Sequence, residues 1–460
     1  MITSFHLERF KTWRDTGRVA LAPLTLLFGA NSAGKSSLGH WLLALKQTAQ
    51  SADRRRALNL GDERSLVDLG TFEDSLYGHD RSRPLQFSLR WSLPDALSVR
   101  DPLTGQGLIG DELDLNAVLG ADPAGQPVLQ ALRYRLFEGH AERLSALLLA
   151  GTDGALDLTA TGYRLVRAEG REGPLEAPEK FYRVSEAALA RFRNAGFLAD
   201  FALALEGLLG RVSYLGPLRE TPRRIYAWSG DTPEDLGSRG EYGVAAILAA
   251  EAAGRQLATA ADQAPVGFAA LIAAQLQQLG VIHDFQVTAV APGRREYEAL
   301  LRTHADGPVV RLTDVGFGIS QVLAPVVQAF YCPSNAVVWM EQPELHLHPR
   351  VQANLADLFI DAIHAHENGQ PRNVQLIVES HSEHLLNRLQ LRIAERRLHP
   401  EQVAIYFCSH GRDGARIERL RLDEDGEIAN WPTDFFGDEM ADIAGRTLAA
   451  LRHRRDSGAG

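Results

Sequence analysis

Leu24 to Ser37 reads LTLLFGANSAGKSS, and within it Gly29, Gly34, Lys35 and Ser36 stand in the spacing G-x-x-x-x-G-K-S. An apolar run (Leu24, Leu26, Leu27, Phe28) precedes the glycines and the helix-like SLGHWLLALKQ follows them, which predicts strand, loop and helix in turn. In that setting Gly29, Ala30, Asn31, Ser32, Ala33, Gly34, Lys35, Ser36 and Ser37 form a phosphate-binding loop. The glycines let the backbone curl with its N–H groups inward, and the helix adds the positive end of its dipole. Lys35 would bridge the β- and γ-phosphates of ATP, and Ser36 would hold Mg²⁺. The chain has four lysines, Lys11, Lys35, Lys46 and Lys180, among 48 Lys and Arg residues. A lysine kept here, in a chain that otherwise uses arginine, fits a position that needs a compact point charge.

A second half of the site reads from AVVWMEQPELHLHP, which puts Glu341 at the end of an apolar strand predicted over Ala336 to Met340. A carboxylate at the mouth of such a strand, beside the loop strand of a parallel sheet, is placed as a Walker B acid to hold the hydration shell of Mg²⁺. A helix from Arg350 to His366 and another apolar strand, VQLIVES, follow and end just before His381. A histidine at that strand end is positioned to sense the γ-phosphate. His346 and His348 invite a zinc reading, but no further ligand follows at metal spacing.

Composition bounds the rest. The 460 residues suffice for two or three domain-sized units, with 45% hydrophobic and 23% charged content, as in ordinary globular proteins. No uninterrupted apolar run is long enough for a membrane span, and MITSFHLERF lacks a signal-peptide pattern, so a cytoplasmic location and no membrane partner are expected. Cys332 and Cys408 sit beside apolar runs, as buried free thiols do. A net charge of −10 argues against a surface that coats nucleic acid broadly, leaving local arginine patches as the only route to it. Arg54, Arg55 and Arg56 form one such patch, read first as a solvated helix face. Arg219, Arg223 and Arg224 form another, open to phosphates or to pairing with Glu220 and Asp231.

Along the chain, ITSFHLERFKTW alternates as a strand, and a second strand, RVALAPLTLLFG, leads into the loop. Phe10 and Trp13 could stack on adenine, with core packing the commoner use of such aromatics. Residues 84–170 read as strand-rich, with the Gly- and Asp-rich stretch 101–127 as a surface excursion. VSEAALARFRNAGFLADFALALEGLLG, up to Gly210, reads as one helical run of some seven turns, and residues 213–243 hold too many Gly and Pro for a regular element. Helices over about 242–280 and a β-meander follow, with no internal repeat.

The loop near the N-terminus, then GFGISQ, EQPELHLHP and ESHSEHLL in that order, resemble the ABC-type ATPase head shared by SMC, RecF and OLD proteins. Within that group the chain is most similar to single-chain AAA ATPases of the OLD type found in bacterial antiphage systems. The resemblance covers residues 1 to about 50 and about 210 to 440, including SYLGPLRETPRR, GSRGEYG and WPTDFFGDEM. It implies an α/β P-loop NTPase head of ABC type, its mixed central sheet flanked by helices, with a β-rich subdomain and an inserted helical subdomain. The expected division is a lobe 1–170 with the phosphate loop, a helical insertion 171–280, and a lobe 281–455 with a signature-like loop, the Walker B acid and the switch histidine. In such heads two subunits sandwich two ATP molecules, each phosphate loop facing the partner's signature loop. Carried over, Gly316, Gly318 and Ser320 would be that loop, and His348 to Arg350 would lie near the dimer contact.

Three departures from the pattern matter. Val315-Gly316 stands where a signature serine precedes the glycine pair, so Ser320 or backbone N–H groups would do its work. Gln342 follows Glu341 where a catalytic glutamate is usual, and an amide cannot act as general base; Glu344 could substitute if the Pro343 turn brings it inward. Gln86 is the candidate for a Q-loop glutamine. The Toprim nuclease domain of OLD proteins is not expected after WPTDFFGDEM. The resemblance therefore implies a slowly hydrolysing ATPase, homodimeric or of higher order, that acts with a separate effector, expected to be a nuclease. The alternatives are a RecF-like or SMC-like ATPase that binds DNA directly, and the nucleotide-binding subunit of a transporter.

Overall fold

The computed structural model describes residues 1–105, 107–151, 155–171 and 173–432. Apart from Trp431 and Pro432, the WPTDFFGDEM stretch and the helix expected after it therefore lie outside the described residues.

Six strands make the central sheet, in the order Val212–Leu215, Val337–Glu341, Gln375–Glu379, Leu24–Gly29, Val403–Gly411 and Gly414–Leu420. The first five run parallel and the last returns antiparallel. Every residue of the loop strand Leu24–Gly29, of Val337–Glu341 and of Gln375–Glu379 is buried, as expected where a parallel sheet is covered on both faces. Period-two alternation divides them. Leu27, Trp339, Ile377 and Tyr406 face one core, and Leu26, Met340, Val378 and Ile405 face the other.

The first core lies between the central sheet and an outer antiparallel sheet, with the loop helix Lys35–Gln50 sandwiched in it. The outer sheet runs Trp13–Asp15, Ile2–Phe10, Leu85–Arg100, Gly107–Ala121, Pro127–Glu138, Ala141–Ala150 and Leu156–Thr161, with Val19–Ala20 on the side of Ile2–Phe10. Trp41 of the loop helix meets the rings of Phe5 and Phe87 at centroid distances of 5.6 and 5.5 Å, which seats the helix on that sheet. The second core is closed by helices Gly243–Ala252, Phe268–Gln278, Phe317–Tyr331, Pro349–His364 and Glu383–Ala394.

Several sequence expectations need correction. The stretch 101–127 is not a surface excursion: Gly107–Ala121 is an interior strand of the outer sheet, paired on both sides, with Leu113, Leu115, Ala117 and Leu119 buried. Its glycines and aspartates masked the alternation. The helical run before Gly210 is two helices, Glu186–Leu189 and Phe197–Gly210. The Asn194 side chain breaks it, donating to Arg164 O and accepting from Val166 N, so the backbone is pulled toward 164–166. The predicted second strand RVALAPLTLLFG is interrupted by Pro23 into Val19–Ala20 and Leu24–Gly29. Within 171–280, Phe197–Gly210 packs in the first core and the two later helices in the second, and Val212–Leu215 between them joins the central sheet.

Candidate functional site

The loop strand, Val337–Glu341 and Gln375–Glu379 all end at one edge of the central sheet, and the residues after them meet there. Gly29, at φ 137°, closes on the neighbouring strand so tightly that a Cβ would lie 2.0 Å from Cys408 O; only glycine fits. Ala30, Asn31 and Ser32 form the exposed tip, and Ala33 turns back into the core. Lys35, 6% exposed, donates to Gly29 O at 2.8 Å and Ala30 O at 2.9 Å, which leaves its ammonium under the loop where phosphate oxygens would arrive. Burial holds its pKa below the ordinary lysine value, against the raising pull of Glu379 and weaker ones from Cys408, Glu344 and Glu341. The first turn of the loop helix begins here; Ser37 N donates back to Gly34 O at 3.2 Å, and the N–H groups before it point out of the helix start.

Phe10 and Trp13 are fully buried, so neither is available to stack on adenine. Trp13 braces the loop instead, its indole Nε1 donating to Gly34 O at 3.1 Å and Ser37 Oγ at 2.8 Å. The lysine argument also broadens. Lys46 donates to Val212 O at 2.5 Å, and Lys180 to Ala49 O and Ser51 O at 2.6 and 2.9 Å at the C-terminal end of the loop helix. Three of the four lysines thus serve buried carbonyls, of which Lys35 is one.

The expectation that the Glu341 strand lies beside the loop strand is corrected: Gln375–Glu379 runs between them. That strand is as apolar as its neighbours and is covered on both faces, so spacing alone could not order the three. The intervening position belongs to Glu379, a residue quoted in VQLIVES and not assigned a role from sequence. Glu379 Oε2 accepts the Ser36 hydroxyl at 2.8 Å, and its Oε1 accepts Trp339 Nε1 at 2.7 Å. Trp339 reaches this position because Gly39 leaves room for it, where a Cβ would come within 2.6 Å of the indole. Glu341 pairs in register with Glu379, accepts the Tyr214 hydroxyl at 2.8 Å, and has His40 Nε2 4.0 Å away. Burial, then the Glu341 charge, pushes the Glu379 carboxyl up to about 8. The signal that could have found Glu379 is an acid closing an otherwise wholly apolar buried strand.

Gln342 follows with φ 44°, its N–H donating to Glu379 O at 2.8 Å, and the Pro343 turn carries Glu344 inward. Glu344 is 6% exposed; its Oε1 accepts His381 N at 2.7 Å and its Oε2 is buried without a donor. Burial raises its pKa above the ordinary glutamate value. His381 is exposed at the end of its strand, and burial of the ring's surroundings together with Lys35 lowers its pKa, which favours the neutral imidazole.

The segment 213–243 contributes unexpectedly. Buried Arg219 donates to Glu341 O at 3.0 Å, with Nη1 left unpaired; burial lowers its pKa to about 10. Arg223 pairs with Glu220 as one sequence reading had it, whereas Arg224 pairs with Asp314 and not with Asp231. Gly316 caps the helix Phe317–Tyr331, and Gly318 packs on the turn after Glu341, its Cβ position 2.7 Å from His346 O. Gly316 is exposed with open space around it, and Ser320 is half-buried. Gln86 lies at the start of the outer-sheet strand Leu85–Arg100, between Glu8 and Val118. His348 caps the helix Pro349–His364, accepting from Arg350 N. Among the described residues the three-residue group spaced to hold a metal is His6, Glu8 and Asp15, not His346 and His348.

In comparison with known proteins, residues 269–386 match the AAA ATPase domain family, and residues 398–445 match a family described as "Protein of unknown function (DUF3696)". No curated protein matches the chain. Among solved structures it is similar to an SMC head bound to the C-terminal winged-helix domain of ScpA, at 11% identity, covering 92% of this chain and 98% of that one, TM-score 0.46. It is also similar to the SMC head domain from Thermotoga maritima (9% identity, 91% and 99% covered, TM-score 0.38). A third is the Smc head with an extended coiled coil bound to the C-terminal domain of ScpA derived from Pyrococcus furiosus (11% identity, 98% and 99% covered, TM-score 0.41). No helix among the described residues is long and apolar enough to cross a membrane. The AAA match spans Glu341, Glu344 and His381, and the central sheet brings them to the phosphate loop that lies outside it. The fold is α/β, with the glycine-rich loop at the end of a strand of a mainly parallel central sheet, and the match supports ATP binding and ATPase activity.

Proposed function

We propose that this chain is a slow ATPase switch that dimerises on ATP and acts through a separate effector, a nuclease by preference, in bacterial antiphage defence. The observation that carries it is the meeting of Lys35, Ser36, Glu341 and His381 at one sheet edge, with the amide of Gln342 where a general base is expected. The residues suit the implied ligands. Oxygen donors from Ser36, Glu341 and Glu379 make the hard donor set that Mg²⁺ takes, and Lys35 with the free amides of the helix start suits phosphates. Mg²⁺ would supply charge neutralisation on the phosphates. The protein's own part is to hold the γ-phosphate between Lys35 and His381 and to fix the Glu341 turn through Tyr214 and Arg219.

The test is ATP binding and turnover by the purified chain. Tight binding with turnover well under about 1 s⁻¹ supports the reading; absence of nucleotide binding, or turnover of tens per second, overturns it. Phage challenge with and without the neighbouring gene tests the defence role. Strong salt-dependent DNA binding by the chain alone would favour the direct DNA-binding alternative.

A further inference from the structure

We propose that Glu379 is a second metal-site carboxylate, so that Ser36, Glu341 and Glu379 hold a divalent cation even before nucleotide binds. The inference rests on the nucleotide-site reading for its location and goes beyond it in assigning the acid on the intervening strand. Neighbouring parallel strands lie about 4.8 Å apart, and an in-register pair points to the same face. Glu341 and Glu379 are such a pair, so their side chains leave the sheet side by side on one face, and the Ser36 hydroxyl reaches Glu379 there.

Each of the two is already oriented by a donor that a cation would not displace. Trp339 Nε1 fixes one oxygen of Glu379 and the Tyr214 hydroxyl fixes one oxygen of Glu341. Ser36 keeps its lone pairs for a metal while its hydroxyl proton is donated in a hydrogen bond to Glu379. Glu379, Glu341 and Glu344 are 2, 6 and 6% exposed. The fixed side-chain cations set against them are Lys35 and Arg219. A divalent cation seated between the two buried carboxylates of Glu341 and Glu379 would stand in for the solvent that burial denies them. A site with one distant acid would need the nucleotide phosphates to complete its shell; a site with two acids and a hydroxyl has less need of them.

The experiment is Mn²⁺ titration of the full chain without nucleotide, read by calorimetry and by the loss of the free-ion EPR signal. Wild type is expected to bind one ion. Glu379→Gln preserves the shape and the Trp339 bond and should weaken Mn²⁺ binding roughly 10- to 100-fold, as Ser36→Ala should in lesser degree. Lys35→Ala should lose nucleotide and keep, or tighten, Mn²⁺. Thermal melting establishes that each variant is folded, and the wild-type titration stands even where one is not. Mn²⁺ taken up only when nucleotide is present, or bound by Glu379→Gln as tightly as by wild type, overturns the proposal. Nucleotide binding retained in Lys35→Ala would instead overturn the nucleotide-site reading while leaving the metal result in place.

Discussion

The Ser36 hydroxyl donates to Glu379 at 2.8 Å, so the residue expected to hold the cation is tied to an acid from the strand beside its own, not to Glu341 one strand further away. The consequence is a division of labour. Glu379 is anchored at the phosphate-loop side by Ser36 and Trp339, and Glu341 at the other side by Tyr214 and, through its carbonyl, by Arg219.

Stability of the metal-free, nucleotide-free protein should fall as pH rises. The Glu379 carboxyl titrates near 8 in the folded chain and near its ordinary 4.5 when unfolded. Between those values the folded state holds a proton that the unfolded state has lost, so stability falls with pH across that window and levels off above it. The slope is at most about 1.4 kcal/mol per pH unit for one group. Chemical denaturation of wild type and Glu379→Gln across the window checks this: the variant should lose most of the slope, and equal slopes would place the titrating group elsewhere.

Lys35→Ala should lower ATP affinity by about 10-fold or more, the loss of charge-assisted contacts to phosphate. Because Lys35 is buried and ties Gly29 O and Ala30 O, the variant should also melt a little earlier, by the equivalent of about 1–2 kcal/mol, rather than be thermally silent. Calorimetry with ATP and a melting curve read the two effects separately.

The phosphate loop was legible because its chemistry is local. Gly29 to Ser37 lie in one run, and strand, turn and helix follow from nine consecutive residues. Glu341, Glu344 and His381 were legible as strand-end residues, since apolar runs announce buried strands whatever their order. Strand order was not. The sequence of Val337–Glu341 fits either place in the sheet, and only the crossover packing puts Gln375–Glu379 next to the loop strand. Glu379 was hidden for that reason, and Arg219 because nothing in a Gly- and Pro-rich segment tells which arginine turns inward. The outer sheet was read as strands but lost Gly107–Ala121, where polar residues such as Asp114 are buried against Arg135 and blur the alternation.

ATP should convert the chain to a dimer. Gly318 packs on the turn after Glu341, and in the proposed sandwich Gly316, Gly318 and Ser320 would face the phosphate loop of a second copy. Sedimentation velocity with and without a non-hydrolysable ATP analogue checks this, and Gly316→Trp, at an exposed position with open space around it, should block the shift to the dimer while leaving ATP binding by the monomer intact. A strict monomer under both conditions would remove the sandwich arrangement.

The base for hydrolysis decides the rate. Gln342 can orient water but takes no proton, a deficit of roughly 10²- to 10⁴-fold in the chemical step. Glu344 is turned inward against His381 N, one oxygen without a donor, and its burial raises its pKa above the ordinary glutamate value. Wild-type turnover should therefore be slow, with any pH dependence of the chemical step following the loss of the Glu344 proton. Glu344→Gln should abolish the remaining hydrolysis and its pH dependence, and Gln342→Glu should raise turnover. Glu341→Gln should instead raise the Mg²⁺ concentration needed for half-maximal rate, because that residue acts on the metal side. Arg219→Ala should slow hydrolysis with little change in ATP affinity, since it holds the Glu341 backbone and not the phosphate loop. Single-turnover hydrolysis across these four variants separates the roles. Fast wild-type turnover indifferent to Glu344→Gln would place the base on another residue.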